Sequence, residues 1–404
     1  MVQVIVRPHP DSQHLLLDKD SLDKKHAVVS ILHSKPRSYE VTQALTPQSS
    51  QSQVFTNALE PLLNQWLTKG DHGALFAYGF TGTGKSYSLF GIPENPGGIW
   101  LSAQYLLENL PTGSKLRCSM CEIDGKSVKD LLVLDETING QLTVRVDEQG
   151  SVHLRKADGS GPLRRVVLET AQEFQVLWEQ AQKSRRVGSS TVHDASSRTH
   201  AVVDFEIVND RIVELEEAVE EKHAAYIAIS NQKDDALKER IEEAYKRDGP
   251  NAMVDGRPLA ELLQEHGKPH EESLLALDEA RRMLGEYKET AGIAAFLGSF
   301  SMIDMAGNDW EQATTMQTAQ AKKEHSDINA SLLAVKECFR AMQQGKRHIP
   351  FRRSCLTQIL KRYFSSANSN CVMLTTIYPQ EEEVTLKQTM NTLLYASSIA
   401  KMRT

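Results

Sequence analysis

The sequence has no run of about 18 apolar residues, the minimum for a membrane-spanning helix. Its start, MVQVIVRPHP, lacks the basic and apolar segments of a secretory signal. Only five cysteines occur in 404 residues, which argues against a disulfide scaffold. Cys118 and Cys121 form the single C-x-x-C pair, and without a second pair they indicate an apolar strand rather than a zinc site. We therefore expect an intracellular protein without a membrane segment.

Charge is distributed unevenly along the chain, whose formal net charge is -7. Residues 209–290 contain 12 basic and 21 acidic residues, a net charge of -9. Residues 332–364 contain eight basic residues and one acid, a net charge of +7. This local basic segment predicts a surface for an acidic partner.

Apolar, β-branched segments alternate with helical patterns along most of the chain. The strand-like segments are QVIV, ALFAYG, AVVDFEIV, GSFSMID and NCVMLTTIY. The helical ones are NALEPLLNQWL, TAQEFQVLWEQAQKS and INASLLAVKECFRAM. Such alternation predicts an α/β fold, with a sheet covered by helices on both faces.

Residues 209–290 interrupt this alternation. From Arg211 to Asp248 apolar residues recur at helical spacing, and Gly249-Pro250 ends the pattern. After VDGRPLAELLQEHGKP, a second helix is predicted through EESLLALDEARRMLGEYKE. We therefore predict a helical hairpin inserted between two strands. A solvated insertion and a coiled coil that binds an unknown protein partner both remain open.

The segment GFTGTGKS lies between a predicted strand and a predicted helix and satisfies the pattern G-x-x-x-x-G-K-[ST]. In this pattern the backbone amides surround the β-phosphate, Lys85 brings a cation to the β and γ oxygens, and the Ser86 hydroxyl binds Mg²⁺. The predicted phosphate-binding residues are Gly79, Phe80, Thr81, Gly82, Thr83, Gly84, Lys85 and Ser86. The pattern predicts nucleotide binding.

Two further segments supply groups that a nucleotide hydrolase requires. In SMIDMAGND, Asp304 ends an apolar strand and can bind Mg²⁺ through water, while the Gly307 amide can sense a γ-phosphate. In HDASSRTH, the hydroxyls of Ser196 and Ser197 precede Arg198. Taken alone, these segments are better explained as a buried or capping aspartate and as an ordinary turn. Their order after the phosphate-binding loop favours catalytic groups.

Together these segments resemble a kinesin motor domain. AYGFTGTGKSYSLFG resembles the P-loop of that family, SSRTH its switch I, and DMAGND its switch II. INASLLAVKECFRAM and HIPFRRSCLTQIL resemble its microtubule-facing helix and the segment after it, and SMCEIDGKSVKDLL and TMNTLLYASSIAKM resemble further family blocks. The resemblance implies one motor domain over residues 1–404, with residues 209–290 as an insertion. It also implies the P-loop NTPase type of core, a central mixed sheet with helices on both faces.

The resemblance further implies ATP with Mg²⁺ as the ligand. Pro10 and Tyr87 would flank the adenine, and Ser197 would join Ser86 and Asp304 at the metal. Ser196 and Ser197 would close on the γ-phosphate. Arg198 would pair with Asp309 only when both switches close around ATP, which would align the attacking water.

A tubulin polymer is the partner that the resemblance implies, with a cytoplasmic, cytoskeletal location and neither a membrane nor a nucleic acid as partner. Microtubule surfaces are acidic, so the basic segment fits. The predicted contacts are Lys336, Lys346, Arg347, Arg352, Arg353, Lys361 and Arg362. The acid and the lysine of the family pattern R-[DE]-S-K are here Arg353 and Cys355.

Three departures from the family pattern leave the mode of action open. His9 stands for an arginine, His193 for an asparagine and Asp309 for a glutamate. A microtubule-stimulated ATPase motor is the first hypothesis, and a slow or nucleotide-insensitive microtubule-binding protein is the second. LLAVKEC also resembles the internal-motor class that depolymerises microtubules, although the Lys-Val-Asp tripeptide of that class is missing before the P-loop. A nucleotide kinase or GTPase is disfavoured because neither needs SSRTH or HIPFRRS.

Overall fold

The computed structural model describes residues 2–18, 27–32, 36–133, 140–146, 152–156, 161–187, 199–232, 243–249, 253–254, 257–308, 319–366 and 368–401. Contacts divide the chain into two compact units. The first comprises Met1–Ile207 and Ala294–Thr404, and the second comprises Val208–Ile293.

Short and long strands occur along the chain. They are β1 Val2–Pro8, β2 Leu15–Leu17, β3 Ala27–Ile31, β4 Arg37–Val41, β5 Gln43–Ala44, β6 His72–Tyr78, β7 Gly91–Ile92, β8 Asn95–Pro96, β9 Lys115–Asp124, β10 Ser127–Asp130, β11 Gln141–Val146, β12 Val152–Lys156, β13 Val166–Leu168, β14 His200–Val208, β15 Met253–Val254, β16 Arg257–Pro258, β17 Phe300–Asp304 and β18 Ser369–Ile377.

The α-helices are α1 Gln51–Val54, α2 Glu60–Lys69, α3 Lys85–Leu89, α4 Gly98–Glu108, α5 Ala171–Val187, α6 Asp210–Gln232, α7 Leu259–Thr290, α8 Ala319–Gln343, α9 Cys355–Ser365 and α10 Glu383–Ala400. A π-helical turn, Phe55–Leu59, joins α1 to α2. Short 3₁₀ turns form at Ala294–Phe296 and Phe351–Arg353.

The main sheet of the first unit is mixed and, in the part of the chain described, has the order β12-β11-β10-β9-β14-β17-β6-β18-β1-β5, with β13 beside β9. Parallel pairs connect β17, β6, β18, β1 and β5. The remaining neighbours whose register is defined are antiparallel. The α/β fold predicted from the alternating pattern is thus confirmed.

Helices cover both faces of this sheet. Successive residues of a strand point to opposite faces, so each strand contributes side chains to both. Phe76 of β6 packs against Phe339 of α8, with ring centroids 5.8 Å apart. Phe300 of β17 stacks on Trp66 of α2 on the other face, at 6.3 Å. The Trp66 indole also donates to the Ala295 carbonyl at 3.0 Å, so this large ring is buried with its polar atom satisfied.

Three strands bring the predicted nucleotide segments to one edge of the sheet. Asp304 at the end of β17 pairs with Ala201 of antiparallel β14 and with Ala77 of parallel β6. The segment before β14 and the segments after β17 and β6 therefore leave the sheet at the same edge. This edge carries the candidate site.

The second unit is an antiparallel helical hairpin built from α6 and α7. Asn209, just before α6, donates to the Tyr287 hydroxyl near the end of α7 at 2.9 Å. Further along the pair, the rings of Tyr226 and His270 lie 4.9 Å apart. Ile212, near the start of α6, is fully buried. Pairing of the start of one helix with the end of the other defines the antiparallel arrangement.

The connection between these helices differs from the sequence prediction. Helix α7 begins at Leu259, about one third of its length before the predicted start, and continues through Pro269. The short strands β15 and β16, which pair over two residues each, lie directly before α7 in the connection between the helices. Proline removes one helical hydrogen bond without ending a helix that is long on both sides of it. The predicted continuation of the first helix over residues 233–242 lies outside the described residues.

The five cysteines are free thiols. Cys118 and Cys121 are buried within β9, which confirms the strand predicted around them. Among the described residues, no group of His, Cys, Asp and Glu side chains has the arrangement of a metal site. None of the helices in the described ranges combines the length and apolarity needed to cross a bilayer.

Candidate nucleotide site

The predicted phosphate-binding loop connects β6 to α3. Gly82 and Gly84 have φ angles of 84° and 92°, in the left-handed region that side chains disfavour. A Cβ at either position would meet no heavy atom within 4 Å, so open space lies in front of this backbone. The loop therefore has the curvature and the room that a phosphate group requires.

The start of the loop is fixed against β18. A Cβ on Gly79 would lie 2.4 Å from the Thr376 carbonyl oxygen, so only glycine fits there. The Thr83 hydroxyl donates to the Phe80 carbonyl at 2.8 Å, and its oxygen lies 2.6 Å from the Thr376 hydroxyl. The loop is thus held in shape by its own residues and by the neighbouring strand.

Lys85 and Ser86 begin α3. The buried Lys85 ammonium donates to the Phe80 carbonyl at 2.8 Å. The Ser86 hydroxyl donates to Asp304 Oδ2 at 2.6 Å, which joins two segments that are 218 residues apart in sequence. The predicted metal ligands Ser86 and Asp304 are therefore neighbours.

Asp304 fits a role in holding Mg²⁺. Its Oδ1 atom is buried and has no hydrogen-bond partner among the described residues. Burial raises the pKa of Asp304 above its ordinary value, an effect opposed by the Ser86 hydrogen bond and the charge of Lys85. A buried carboxylate oxygen without a donor, beside a serine hydroxyl, is the hard oxygen environment that Mg²⁺ prefers.

Arg7 lies on the side of the site where the adenine is expected, and the sequence motifs did not assign it a role. Its guanidinium donates to Gln51 Oε1 and Ser88 Oγ, each at 2.8 Å, and lies 5.5 Å from the ring centroid of Tyr87. It therefore ties β1 to α3 and supports the half-exposed Tyr87 ring. The feature of the sequence that could have identified Arg7 is its charge at the end of the apolar stretch VIVRP.

Pro10 and His9 follow β1. Pro10 is exposed. The His9 ring packs on Tyr378, with ring centroids 4.0 Å apart, and its Nδ1 atom accepts the Asp11 backbone N–H at 3.2 Å. His9 is thus oriented by local contacts at the position where the family has an arginine.

The predicted residues Ser196, Ser197 and Arg198, together with His193 and Asp309, lie outside the described residues. The predicted pair between Arg198 and Asp309 stays a prediction. Gly307 is described and is buried beside Ala306 and Asn308.

The chain immediately after Arg198 is firmly held. The Thr199 hydroxyl donates to Glu122 Oε1 at 2.6 Å. Arg185 of α5 donates to the same carboxylate oxygen at 2.9 Å and to the Thr199 hydroxyl at 3.2 Å. This network fixes the point at which the predicted switch I segment enters β14.

The chain around Gly307 is held on both sides. The Ala306 backbone N–H donates to His200 Nδ1 at 3.0 Å. The Asn308 amide group donates to the Tyr78 hydroxyl at 2.8 Å, and its backbone N–H donates to the Gly79 carbonyl at 3.3 Å. Gly307 therefore lies between one anchor on β14 and another at the P-loop.

Helix α5 also contacts the end of the P-loop helix. Trp178 stacks on Phe90, with centroids 3.7 Å apart and planes inclined by 6°. Phe90 is the C-cap residue directly after α3. The tryptophan is almost fully buried.

The seven predicted polymer-contacting cations have different environments. Lys336 lies over the rings of Tyr78 and Tyr395, at 5.7 and 5.0 Å from the ring centroids, and burial lowers its pKa. Arg353 pairs with Glu337, and Arg362 donates to Asp204 at 3.0 Å. Lys361 is partly buried. Lys346, Arg347 and Arg352 are exposed, as are the paired Arg353 and Arg362.

The fold and the loop at this edge have the architecture of the P-loop α/β class. A family model for the kinesin motor domain matches residues 9–230 and 277–402, and the chain belongs to that family. The unmatched residues 231–276 lie inside the second unit.

Curated relatives agree with this assignment. Kinesin-like protein KIN-8A of Oryza sativa subsp. japonica is 26% identical over 361 residues, 88% of this chain. Kinesin-like protein KIF24 of Mus musculus is 25% identical over 394 residues, 96% of this chain. The chain spans only 35% and 22% of the lengths of these two relatives.

Solved structures share the fold. A KIF14 dimer in complex with a microtubule and AMP-PNP superposes with a TM-score of 0.65 at 20% identity, covering 99% of this chain and 93% of that chain. The motor domain of the Kar3-like kinesin from Ashbya gossypii has a TM-score of 0.61 at 18% identity, covering 98% and 99%. The predicted kinesin fold is confirmed.

Proposed function

We propose that this chain is a microtubule-stimulated ATPase motor domain. The observation that carries the proposal is the 2.6 Å hydrogen bond between Ser86 of the P-loop helix and Asp304 at the switch II strand. It joins the two groups that would hold Mg²⁺, and Asp304 lies three residues before Gly307, whose amide would respond to the γ-phosphate. When bound, Mg²⁺ supplies positive charge that stabilises the phosphate oxygens during transfer.

The chain's own residues would perform three tasks. Lys85 and the loop amides would bind the phosphates, and Ser86 with Asp304 would hold the metal. Ser196, Ser197 and Arg198 would close the site from the other side and exclude bulk water. A steady-state ATPase assay with and without microtubules tests this proposal, and turnover that microtubules leave unchanged would refute it.

The polymer surface is proposed to centre on the exposed cations after α8. Lys346, Arg347 and Arg352 are exposed and lie in the segment of net charge +7. Lys336, Arg353, Lys361 and Arg362 remain part of the proposed set, although each interacts with other groups of the protein. The microtubule named in the KIF14 structure supports the choice of partner.

Replacement of Lys346 and Arg347 by alanine together should weaken microtubule binding. Exposed ion pairs contribute up to about 1 kcal/mol each, so we expect a loss of about fivefold to thirtyfold in affinity at low salt. Cosedimentation over a salt series measures it. The double variant Lys69→Ala with Lys387→Ala removes the same charge elsewhere and should bind like the wild type. Equal losses in both doubles would mean that net charge alone attracts the polymer.

Depolymerisation of the internal-motor type is the second candidate. It is favoured by LLAVKEC and by the likeness to Kinesin-like protein KIN-13A of Oryza sativa subsp. japonica, which is 27% identical over 89% of this chain. Imaging of stabilised microtubules with ATP separates the candidates. Gliding supports the motor, shortening at the ends supports the depolymerase, and static decoration supports a nucleotide-insensitive binder. The last outcome is motivated by His9, whose ring packs on Tyr378 where the family has an arginine. His193 and Asp309, which also depart from the family pattern, motivate it as well.

The segment 209–290 is proposed to be an insertion that does not bind the polymer, because a net charge of -9 is repelled by an acidic surface. A solvated arm and a site for a protein partner remain alternatives for its role.

Deletion of residues 212–286 with a short Gly-Ser linker tests this idea. The deletion should leave microtubule affinity within about twofold or raise it slightly, since it removes like charge. β14 and β17 are antiparallel neighbours, so a short turn can join them. Thermal melting checks that the shortened chain folds. A strong loss of affinity in a folded deletion variant would assign the insertion to the polymer interface.

A further inference from the structure

We propose that His200 is a positioning residue that connects the γ-phosphate-sensing loop to helix α8, and so couples nucleotide state to the polymer-facing end of that helix. The proposal rests on the motor function proposed above. It supplies a physical connection between the nucleotide site and the proposed polymer surface, which the nucleotide-site residues alone do not provide. His200 is the first residue of β14, immediately after the segment SSRT.

The imidazole makes one hydrogen bond to each element. Its Nδ1 atom accepts the Ala306 backbone N–H at 3.0 Å, so Nδ1 carries no hydrogen. In the neutral ring Nε2 therefore carries the proton and donates to Ser331 Oγ at 2.7 Å. The Ser331 hydroxyl in turn donates to the Ile328 carbonyl of the same helix, also at 2.7 Å. The result is a directed chain from the loop to α8.

This chain is shielded from water. His200 is 1% exposed and Ser331 is 2% exposed. In such an environment hydrogen bonds are stronger, and a broken one leaves an unsatisfied polar group. Movement of the loop without movement of Ser331 is therefore costly. The loop at Ala306 and the helix at Ser331 are therefore expected to move together.

The loop end of the chain is next to the expected sensor. Ala306 directly precedes Gly307, whose amide is predicted to respond to a γ-phosphate. Asn308 is anchored to the P-loop region through Tyr78 and Gly79. A shift of the Gly307 peptide toward a phosphate therefore has to be taken up at Ala306, where His200 is bonded.

The helix end of the chain reaches the proposed polymer surface. Ser331 lies 12 residues before the end of α8 at Gln343, which is about 18 Å along a helix. Lys346 and Arg347 follow shortly after that end. A helix transmits a displacement over this distance because its backbone hydrogen bonds keep it stiff. Coupling between the sites thus has a continuous physical path.

Three variants cut this path at defined bonds. His200→Asn keeps an acceptor near the Nδ1 position but is too short to reach Ser331, and Ser331→Ala removes the same bond from the other side. His200→Gln extends toward Ser331 and releases Ala306. Ser326→Ala is the matched control, because Ser326 is an exposed hydroxyl on the same helix.

The readout is the ratio of microtubule dissociation constants in ADP and in a non-hydrolysable ATP analogue. Each of the three variants should reduce this ratio at least about fivefold, the lower range of an allosteric coupling, while Ser326→Ala leaves it unchanged. The double variant of His200→Asn and Ser331→Ala should reduce the ratio no further than either single variant, because both substitutions remove the same hydrogen bond. A full ratio in Ser331→Ala, or additive losses in the double variant, would overturn the proposal.

Hydrogen exchange without microtubules distinguishes this inference from the proposed function. In the wild type, the ATP analogue and ADP should give different amide protection over residues 326–343, and Ser331→Ala should abolish the difference. If that result is obtained but microtubules do not stimulate turnover, the link stands and the motor function fails. If the wild type shows no nucleotide-dependent protection of α8, or Ser331→Ala retains it, the link is refuted whatever the ATPase result.

Discussion

Replacement of Lys85 by alanine should reduce ATP turnover at least about a hundredfold, the usual cost of removing one preorganised charge-stabilising donor. The Lys85 ammonium is buried at the start of α3 and donates to the Phe80 carbonyl within the P-loop. Since Lys85 is the cation proposed to bind the phosphate oxygens, alanine would leave the charge that develops there without compensation. A steady-state ATPase assay at saturating microtubules measures the loss.

The control for this variant is Lys69→Ala, which removes an exposed lysine at the end of α2. It should have wild-type turnover. Circular dichroism and thermal melting of Lys85→Ala should show a folded chain, because Thr83 still holds the Phe80 carbonyl. Wild-type turnover in a folded Lys85→Ala protein would mean that the loop is not the catalytic phosphate site.

Replacement of Asp304 by asparagine should separate metal binding from stability. The amide keeps an acceptor for the Ser86 hydroxyl but loses the negative charge, so the affinity for Mg²⁺ in the nucleotide complex should fall about 10- to 100-fold. Titration of turnover with Mg²⁺ measures it. Excess Mg²⁺ should restore part of the rate.

The free energy of unfolding of Asp304→Asn should stay the same or rise, whereas its affinity for Mg²⁺ falls. Because burial raises the pKa of Asp304, its ionised form is less favourable in the folded chain than in the unfolded chain. This cost is complete at a pH above the folded pKa, and it disappears as the pH falls through the folded pKa to below the ordinary value. The neutral amide removes the cost, so Asp304→Asn should be at least as stable as the wild type at pH 7. A large loss of stability would indicate that the carboxylate is structural, and Asp124→Asn at the exposed end of β9 controls for charge.

The nucleotide edge could be predicted largely from local patterns. GFTGTGKS specifies a loop between a strand and a helix, and SMID specifies a strand that ends at Asp304. In an α/β sheet the ends of neighbouring parallel strands meet, so the approach of Ser86 to Asp304 follows from the two motifs together. The α/β class followed from the same alternation of strands and helices.

Contacts between distant segments could not be predicted. The charge of its segment and the family resemblance place Lys336 at the polymer surface, but its ammonium lies over Tyr78 and Tyr395. A lysine stem is long enough to turn toward either side of a helix, and the position of Tyr395 depends on the packing of α10. Arg362 likewise pairs with Asp204, which is 158 residues away. Helical periodicity describes one helix and carries no information about such neighbours.

The two contacts of α5 give this helix a mechanical role. Trp178 rests on Phe90 at the end of the P-loop helix, and Arg185 holds Thr199 at the end of the predicted switch I segment. The two residues are seven positions apart, two helical turns and about 10 Å along the same face. Helix α5 therefore connects the residue after the P-loop helix to the start of β14. We expect a tilt of α5 to move both contacts together, which would couple the two proposed sides of the nucleotide site.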